Sequence, residues 1–187
     1  MLIGPAGAGK STVGAGVATA LGREFVDLDA IAGPYYAEAG WSVARVRRRI
    51  EDVGRVAAER EREPARAHAV ERAVGAFPGM VLALGAGHSN YTDASCRERV
   101  RAALRTCQHV WFLEPYEEPT KSVRELRERC LRERGVGWRS EDGHDFLAEW
   151  VTDPFARSLA TETVRTGGES PEETVARLAA LVNADMK

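Results

Sequence analysis

Gly4-Pro5-Ala6-Gly7-Ala8-Gly9-Lys10-Ser11 decides how the rest of this 187-residue chain is read. These eight residues fit the pattern G-x-x-x-x-G-K-[ST]. Phosphate oxygens must be met by several backbone N–H groups at once, and glycines supply the dihedrals and the close approach that this needs. Leu2-Ile3 reads as the end of a strand, short because only three residues precede Gly4. After the loop, Ser11 to Leu21 places Val13, Val17 and Leu21 at helical spacing, with Gly22 as C-cap. Strand before and helix after is the context that the pattern requires, and the helix N-terminus adds its dipole. Gly7, Ala8, Gly9 and Thr12 are expected to join the phosphate-binding set. Lys10 is expected to reach the β- and γ-phosphates, and the Ser11 hydroxyl to ligate Mg²⁺.

Outward from the loop, strands and helices alternate. Phe25 to Asp29 reads as a second strand with acids at its end, and Gly33-Pro34 breaks the chain. Val43, Val46, Ile50, Val53 and Val56 fall at steps of three and four, which predicts one helix from about Ser42 to Arg62. Pro64 ends or kinks it, and a second helix runs to about Val74. The Glu/Arg alternation from Glu59 to Glu63 is expected to be a solvated helix face. Gly79 to Leu84 and His109 to Leu113 read as buried strands, with an amphipathic helix from Asp93 to Arg105 between them. Ser122 with Glu125 forms a capping box that opens an Arg-rich helix to about Arg134. Gly135 to Asp145 is loop. Phe146 to Ala160 is helical with Pro154 interrupting, and Thr163 to Thr166 is a last strand. Ser170-Pro171-Glu172-Glu173 is a helix start. The order implies an α/β fold, a five-stranded parallel sheet covered by helices on both faces.

Composition excludes several classes. The 26 basic and 28 acidic side chains nearly cancel, so binding to nucleic acid through a strong positive field is disfavoured. Only Lys10, Lys121 and Lys187 are lysine, the other basic residues being arginine. Three cysteines without a CxxC pair argue against a disulfide framework or zinc ribbon and point to the reducing cytoplasm. The four histidines show no metal-ligand spacing. No apolar run approaches a membrane span, and the N-terminus has no signal-peptide pattern. In an open α/β sheet, ligands sit outside the carboxyl ends of the strands. The loop, Asp27/Asp29 and Gly85-Ala86-Gly87 all fall at that edge.

The loop, the Phe25-x-Asp27-x-Asp29 strand end, the small size and Leu84-Gly85-Ala86-Gly87 together resemble the shikimate kinase family of P-loop small-molecule kinases. The resemblance runs through most of the chain. It implies a single P-loop NTPase domain over 1–187, of the nucleoside-monophosphate-kinase-like type, with a substrate-binding helical region at about 34–75 and a small lid at about 132–146. It further implies transfer of the γ-phosphoryl group of ATP to a hydroxyl of a small molecule. Asp27 would help hold Mg²⁺, and Asp29 would contact the acceptor hydroxyl and act as its base. Gly85, Ala86 and Gly87 would face acceptor and phosphate. Arg124 would lie beside the adenine, with Pro171 in the adenine-edge loop. Arg132, Arg134 or Arg139 would act from the lid, Arg134 being the catalytic candidate. Arginine suits that work because its planar fork meets phosphate oxygens bidentately.

The chain departs from the family in three places. Gly85-Ala86-Gly87 stands where three glycines are usual. The Phe-Arg helix is replaced by a stretch with several arginines, of which Arg66 is taken as the substrate candidate. The late substrate arginine gives way to an uncharged or acidic residue in Trp150-Val151-Thr152-Asp153-Pro154. A longer lid region holds Trp138, His144 and Trp150, and Tyr35, Tyr36 and Trp41 follow the Asp pair. These differences favour a bulkier or less anionic acceptor: a sugar, a cyclitol or a hydroxylated natural product such as an antibiotic. A true shikimate kinase, a nucleoside or nucleotide kinase, and a non-catalytic nucleotide-binding switch are the alternatives. A switch has no use for an acceptor base, so the Asp pair argues against the last. Neither nucleic acid nor membrane is an expected partner, and a monomer or weak homodimer is expected.

Overall fold

Leu2 and Ile3, both fully buried, form β1 in the middle of a five-stranded sheet (Leu2–Ile3). The computed structural model describes residues 1–185. Helix α1 (Lys10–Leu21) leaves the loop, and Gly22 caps it in the left-handed conformation (φ +61°). There follow β2 (Phe25–Asp27) and two short helices, α2 (Leu28–Ile31) and α3 (Gly33–Glu38). The helical region continues as α4 (Val43–Val53), α5 (Arg55–Glu61) and α6 (Glu63–Ala76). Then come β3 (Val81–Ala83), a 3₁₀ turn at Ala86–Ser89, α7 (Ala94–Leu104) and β4 (Trp111–Glu114). The chain ends with α8 (Pro119–Arg134), α9 (Phe146–Thr152), α10 (Pro154–Ser158), β5 (Glu162–Arg165) and α11 (Pro171–Asp185).

All strand pairs are parallel, in the order β2-β3-β1-β4-β5. Side chains alternate across a strand, so the two faces bury different sets. Leu2, Val81, Trp111, Leu113 and Val164 face one core with Val17, Leu126, Trp150 and Leu178. Ile3, Leu82 and Phe112 face the other with Val70, Val100 and Phe155. The chain leaves β1 toward one edge and reaches β4 and β5 on the other side, which opens a crevice at the carboxyl ends of the central strands.

Two local expectations fail. The single helix from Ser42 to Arg62 is cut at Gly54, whose φ of +82° only glycine adopts readily. Its apolar stripe is no core face either: Val43 is 70% exposed and Val53 40%. The Ser122 capping box does not form. Pro119 fits the first helical turn, and the Glu118 carboxylate accepts from the amides of Thr120 and Lys121, so the N-cap is Glu118, four residues before Ser122. The Ser122 hydroxyl instead closes the preceding turn, accepting from the Tyr116 amide and donating to its carbonyl. At Ser170 the capping box does form: the Glu173 amide donates to the Ser170 hydroxyl, and the Ser170 amide donates to the Glu173 carboxylate.

Candidate functional site

A cavity of about 430 Å³ lies at the carboxyl edge of the sheet. This is a size at which small-molecule sites are common. Gly7, Ala8, Gly9, Lys10, Ser11 and Thr12 form its floor, and Pro171 lies at one end. Gly7 and Gly9 take φ of +77° and +86°, the left-handed values that the loop was expected to need. The Lys10 ammonium is buried and donates to the carbonyls of Gly4 and Pro5 at 2.9 and 2.8 Å. Burial, offset in part by the Asp29 charge, lowers its pKa to about 8. Of the other two lysines, Lys121 stacks on Tyr116, and Lys187 lies outside the described residues.

The two aspartates are placed by different devices. Asp27 ends β2 and caps the next helical turn, accepting from the Asp29 amide at 3.0 Å. Its other carboxylate oxygen accepts from the Ser11 hydroxyl at 2.5 Å. Asp29 stands two residues on and opens into the cavity. The surrounding walls still desolvate it and raise its pKa, against the pull of Lys10. Behind it lies Gly85, where a Cβ would overlap the Asp29 carboxylate. At Gly87 a Cβ would come within 2.5 Å of Arg66 Nη1. The methyl of Ala86 packs without such conflict, so only the middle position of this turn accepts a side chain. Gly85→Ala is therefore expected to push Asp29 aside, costing activity more than ten-fold. Its stability should change by under ~1 kcal/mol, because a surface carboxylate moves easily. An assay paired with urea unfolding tests this; unchanged activity would show that the fit at Gly85 is unimportant.

The Glu59–Glu63 stretch forms the solvated face expected of it only in part, at Arg60 and Glu61. Glu59, Arg60, Arg62 and Glu63 line the cavity, and Glu63 is 2% exposed. Its carboxylate accepts from the amides of Thr92 and Asp93 and from the Thr92 hydroxyl, tying α6 to the loop before α7. Arg66 is also buried and donates to the Glu59 carbonyl at 3.3 Å. The Nε atoms of Arg62 and Arg66 are buried without a partner.

On the opposite wall, Arg129, Arg132 and Arg134 border the cavity, and the Arg134 charge acts on both Lys10 and Asp29. Arg139 does not. It pairs with Asp145 across an isolated antiparallel bridge between these two residues, and Arg127 also holds Asp145, at 2.6 Å. Arg124 is exposed and outside the cavity wall. Leu126 faces the core, and two residues on a helix are separated by about 200°, which turns Arg124 to solvent. Tyr36, Trp138 and Trp150 line the cavity, but Tyr35, Trp41 and His144 do not. Trp41 lies buried beneath Arg45.

Sequence reasoning missed His88. It is 2% exposed, with Nε2 2.7 Å from the Tyr36 hydroxyl and Nδ1 3.5 Å from Asp29 Oδ1. Burial first, then the charges of Arg66, Arg62 and Lys10, brings its pKa down to about 3. The unfolded chain takes up this proton below about pH 6.5 and the folded chain only near 3. Stability is therefore lost as pH falls through that window, by up to ~1.4 kcal/mol per pH unit. Urea unfolding at pH 7 and 5 is expected to show a steeper acid loss in the wild type than in His88→Phe. Equal losses would contradict a buried neutral imidazole.

A family model described as shikimate kinase matches residues 6–183. The chain belongs to the shikimate kinase family. It is 33% identical over 180 residues to a shikimate kinase of Chromohalobacter salexigens, covering 94% of this chain and 86% of that one. The fold is similar to that of the Acinetobacter baumannii shikimate kinase in complex with shikimate, with a TM-score of 0.66 and 25% identity, covering 98% and 92% of the two chains. It is also similar to that of the Aquifex aeolicus shikimate kinase, with a TM-score of 0.59 and 19% identity, covering 98% and 96%. As a member of the shikimate kinase family, the protein is an ATP-dependent small-molecule kinase with a P-loop fold. Among the described residues no helix is long and apolar enough to cross a membrane.

The resemblance places a substrate arginine in the stretch around Asp153, where this chain has Thr152, Asp153 and Pro154. Asp153 is buried, accepts from Asn90 Nδ2 at 2.9 Å and caps α10. Arg157 turns away from the cavity to pair with Glu114.

Proposed function

We propose that the protein transfers the γ-phosphoryl group of ATP to a hydroxyl of a small polyhydroxylated carboxylate, with shikimate the first acceptor to test. The observation that carries this reading is the pair Arg62 and Arg66. Both border the cavity with Asp29 and keep a buried N–H without a partner. Their guanidinium tips pair with Glu59 and Glu63, and an anionic ligand would meet the Nη atoms, whose planar fork suits a carboxylate. The kinase relatives support the same class of acceptor. This shifts the preference from the neutral sugar, cyclitol or antibiotic that the sequence favoured.

In this reading the acceptor oxygen bonds to the γ-phosphorus as the bridge to the β-phosphate breaks, and the hydroxyl proton passes to Asp29. The loop amides and Lys10 hold the phosphates, and Arg134 offsets charge on the transferred group. Pro171 would border the adenine. Ser11 and Asp27, already joined, offer a hydroxyl and a carboxylate, oxygen donors of the type Mg²⁺ takes. Bound there, the ion would neutralise charge on the phosphates. No group of three metal-ligating side chains exists among the described residues, which fits an ion completed by phosphate oxygens and water. Three free cysteines fit a reducing cytoplasm.

A second reading, a larger neutral acceptor, is favoured by the Asp153 region and the Trp138 wall. An ATP-consumption assay over shikimate, gluconate, sugars, cyclitols, nucleosides and aminoglycosides separates the two. The proposal expects turnover with shikimate or a related hydroxy acid. Turnover confined to neutral or cationic acceptors would overturn it.

A further inference from the structure

His88 closes the Gly85–Gly87 turn and stands between Tyr36 and Asp29. The Tyr36 and His88 rings are parallel within 4°, their centroids 6.0 Å apart. Nε2 meets the Tyr36 hydroxyl, and Nδ1 is buried without a hydrogen-bond partner. A neutral imidazole carries one proton on two nitrogens. Burial pushes the Tyr36 hydroxyl up to about 12, so it stays protonated and can donate to Nε2. The ionised carboxylate facing Nδ1 can only accept. One tautomer satisfies both neighbours, with the proton on Nδ1, because the partner of one ring nitrogen sets the state of the other. The 3.5 Å from Nδ1 to Asp29 Oδ1 exceeds a good N–H···O bond. Hydrogen bonds of this kind are often long before substrate arrives.

We propose that His88 is a positioning residue: with Nε2 held by Tyr36, its Nδ1–H fixes the Asp29 carboxylate so that one oxygen is presented to the acceptor hydroxyl. The inference rests on the reading of Asp29 as the acceptor-side base. Gly85 also lies against this carboxylate, where a Cβ would overlap it, so shape adds to the proposed donor in holding Asp29.

Side-chain chemistry separates this role from simple packing. His88→Phe keeps a flat ring and removes both nitrogens. His88→Asn places an N–H near Nδ1, whereas His88→Gln places one near Nε2. Each variant is assayed with Mg-ATP and shikimate, or with the acceptor-panel member the wild type turns over. Unfolding temperature and ATP affinity are measured alongside. His88→Phe is expected to lose 10- to 100-fold in kcat, the usual scale for a group that orients a reacting one, with both KM values within about threefold. Asn should recover most of kcat and Gln should not, while Tyr36→Phe should fall between. Adding His88→Phe to Asp29→Asn should cost nothing further, since the two act as one unit.

Three results would overturn the proposal: His88→Phe within twofold of wild type, Asn and Phe falling alike, or multiplying losses in the double variant. Should the Phe variant fail to fold, the Asn and Gln pair decides. A wild type that phosphorylates no acceptor, or an active Asp29→Asn, would overturn the acceptor reading and this inference together. An inactive Asp29→Asn beside an unaffected His88→Phe would remove this inference alone.

Discussion

Asp29→Asn is expected to lower phosphoryl transfer by about 10³-fold, within the range that general-base groups contribute, while ATP affinity stays within a few-fold. The substitution keeps the shape of the side chain and removes its charge and its capacity to take a proton. It leaves the α2 cap intact, because Asp27 makes that bond with the Asp29 backbone amide. The carboxylate is open to the cavity, so folding should be little affected. Lys10 and the loop amides keep their places, since the Lys10 ammonium is held by the Gly4 and Pro5 carbonyls. Steady-state kinetics with titration of ATP binding makes the measurement. Transfer surviving within tenfold of wild type would mean that Asp29 does not take the proton.

The second large effect concerns folding. Glu114 ends β4 at 1% exposure, a carboxylate inside the sheet edge. Arg157 meets both of its oxygens, at 3.0 and 2.5 Å, and donates to the Val151 carbonyl at 3.0 Å. Removing one partner of such a pair strands a buried charge, which typically costs about 3–5 kcal/mol. Arg157→Ala is therefore expected to lose most of a small protein's stability margin. Glu114→Gln/Arg157→Met, which removes both charges, should recover much of the loss. Urea unfolding reads both variants. A loss below ~1 kcal/mol in Arg157→Ala would mean that water reaches Glu114 and the pair is unimportant.

Where a signal is local, it is legible in the chain. The phosphate loop carries its own strand, glycines and helix start within 21 residues, and each forms as expected. The three central strands are recognisable as apolar runs, since a parallel sheet covered on both faces buries both of their sides, whereas the outer β5 carries Glu162 and Arg165 at the surface. Strand order is not legible, because β3 lies between β1 and β2 through contacts far apart in sequence. Two helix starts compete between Glu118 and Glu125, and proline at the first turn decides between them. The charged residues from Glu59 to Glu63 look like a solvent face because periodicity cannot distinguish bulk water from a polar cavity. His88 gives no signal of its own. Its partners Tyr36 and Asp29 lie more than fifty residues upstream, and only the fold brings them together.

The central claim is that this cavity couples ATP to a hydroxyl on a small anionic polyol. Phosphorus NMR of the wild-type protein with Mg-ATP and shikimate tests it most directly. The expected result is loss of the ATP γ-phosphate signal and growth of a phosphate-ester signal, with ADP formed only when acceptor is present. Unchanged ATP, or inorganic phosphate as the sole product, with shikimate and with every other hydroxy acid tried would contradict it.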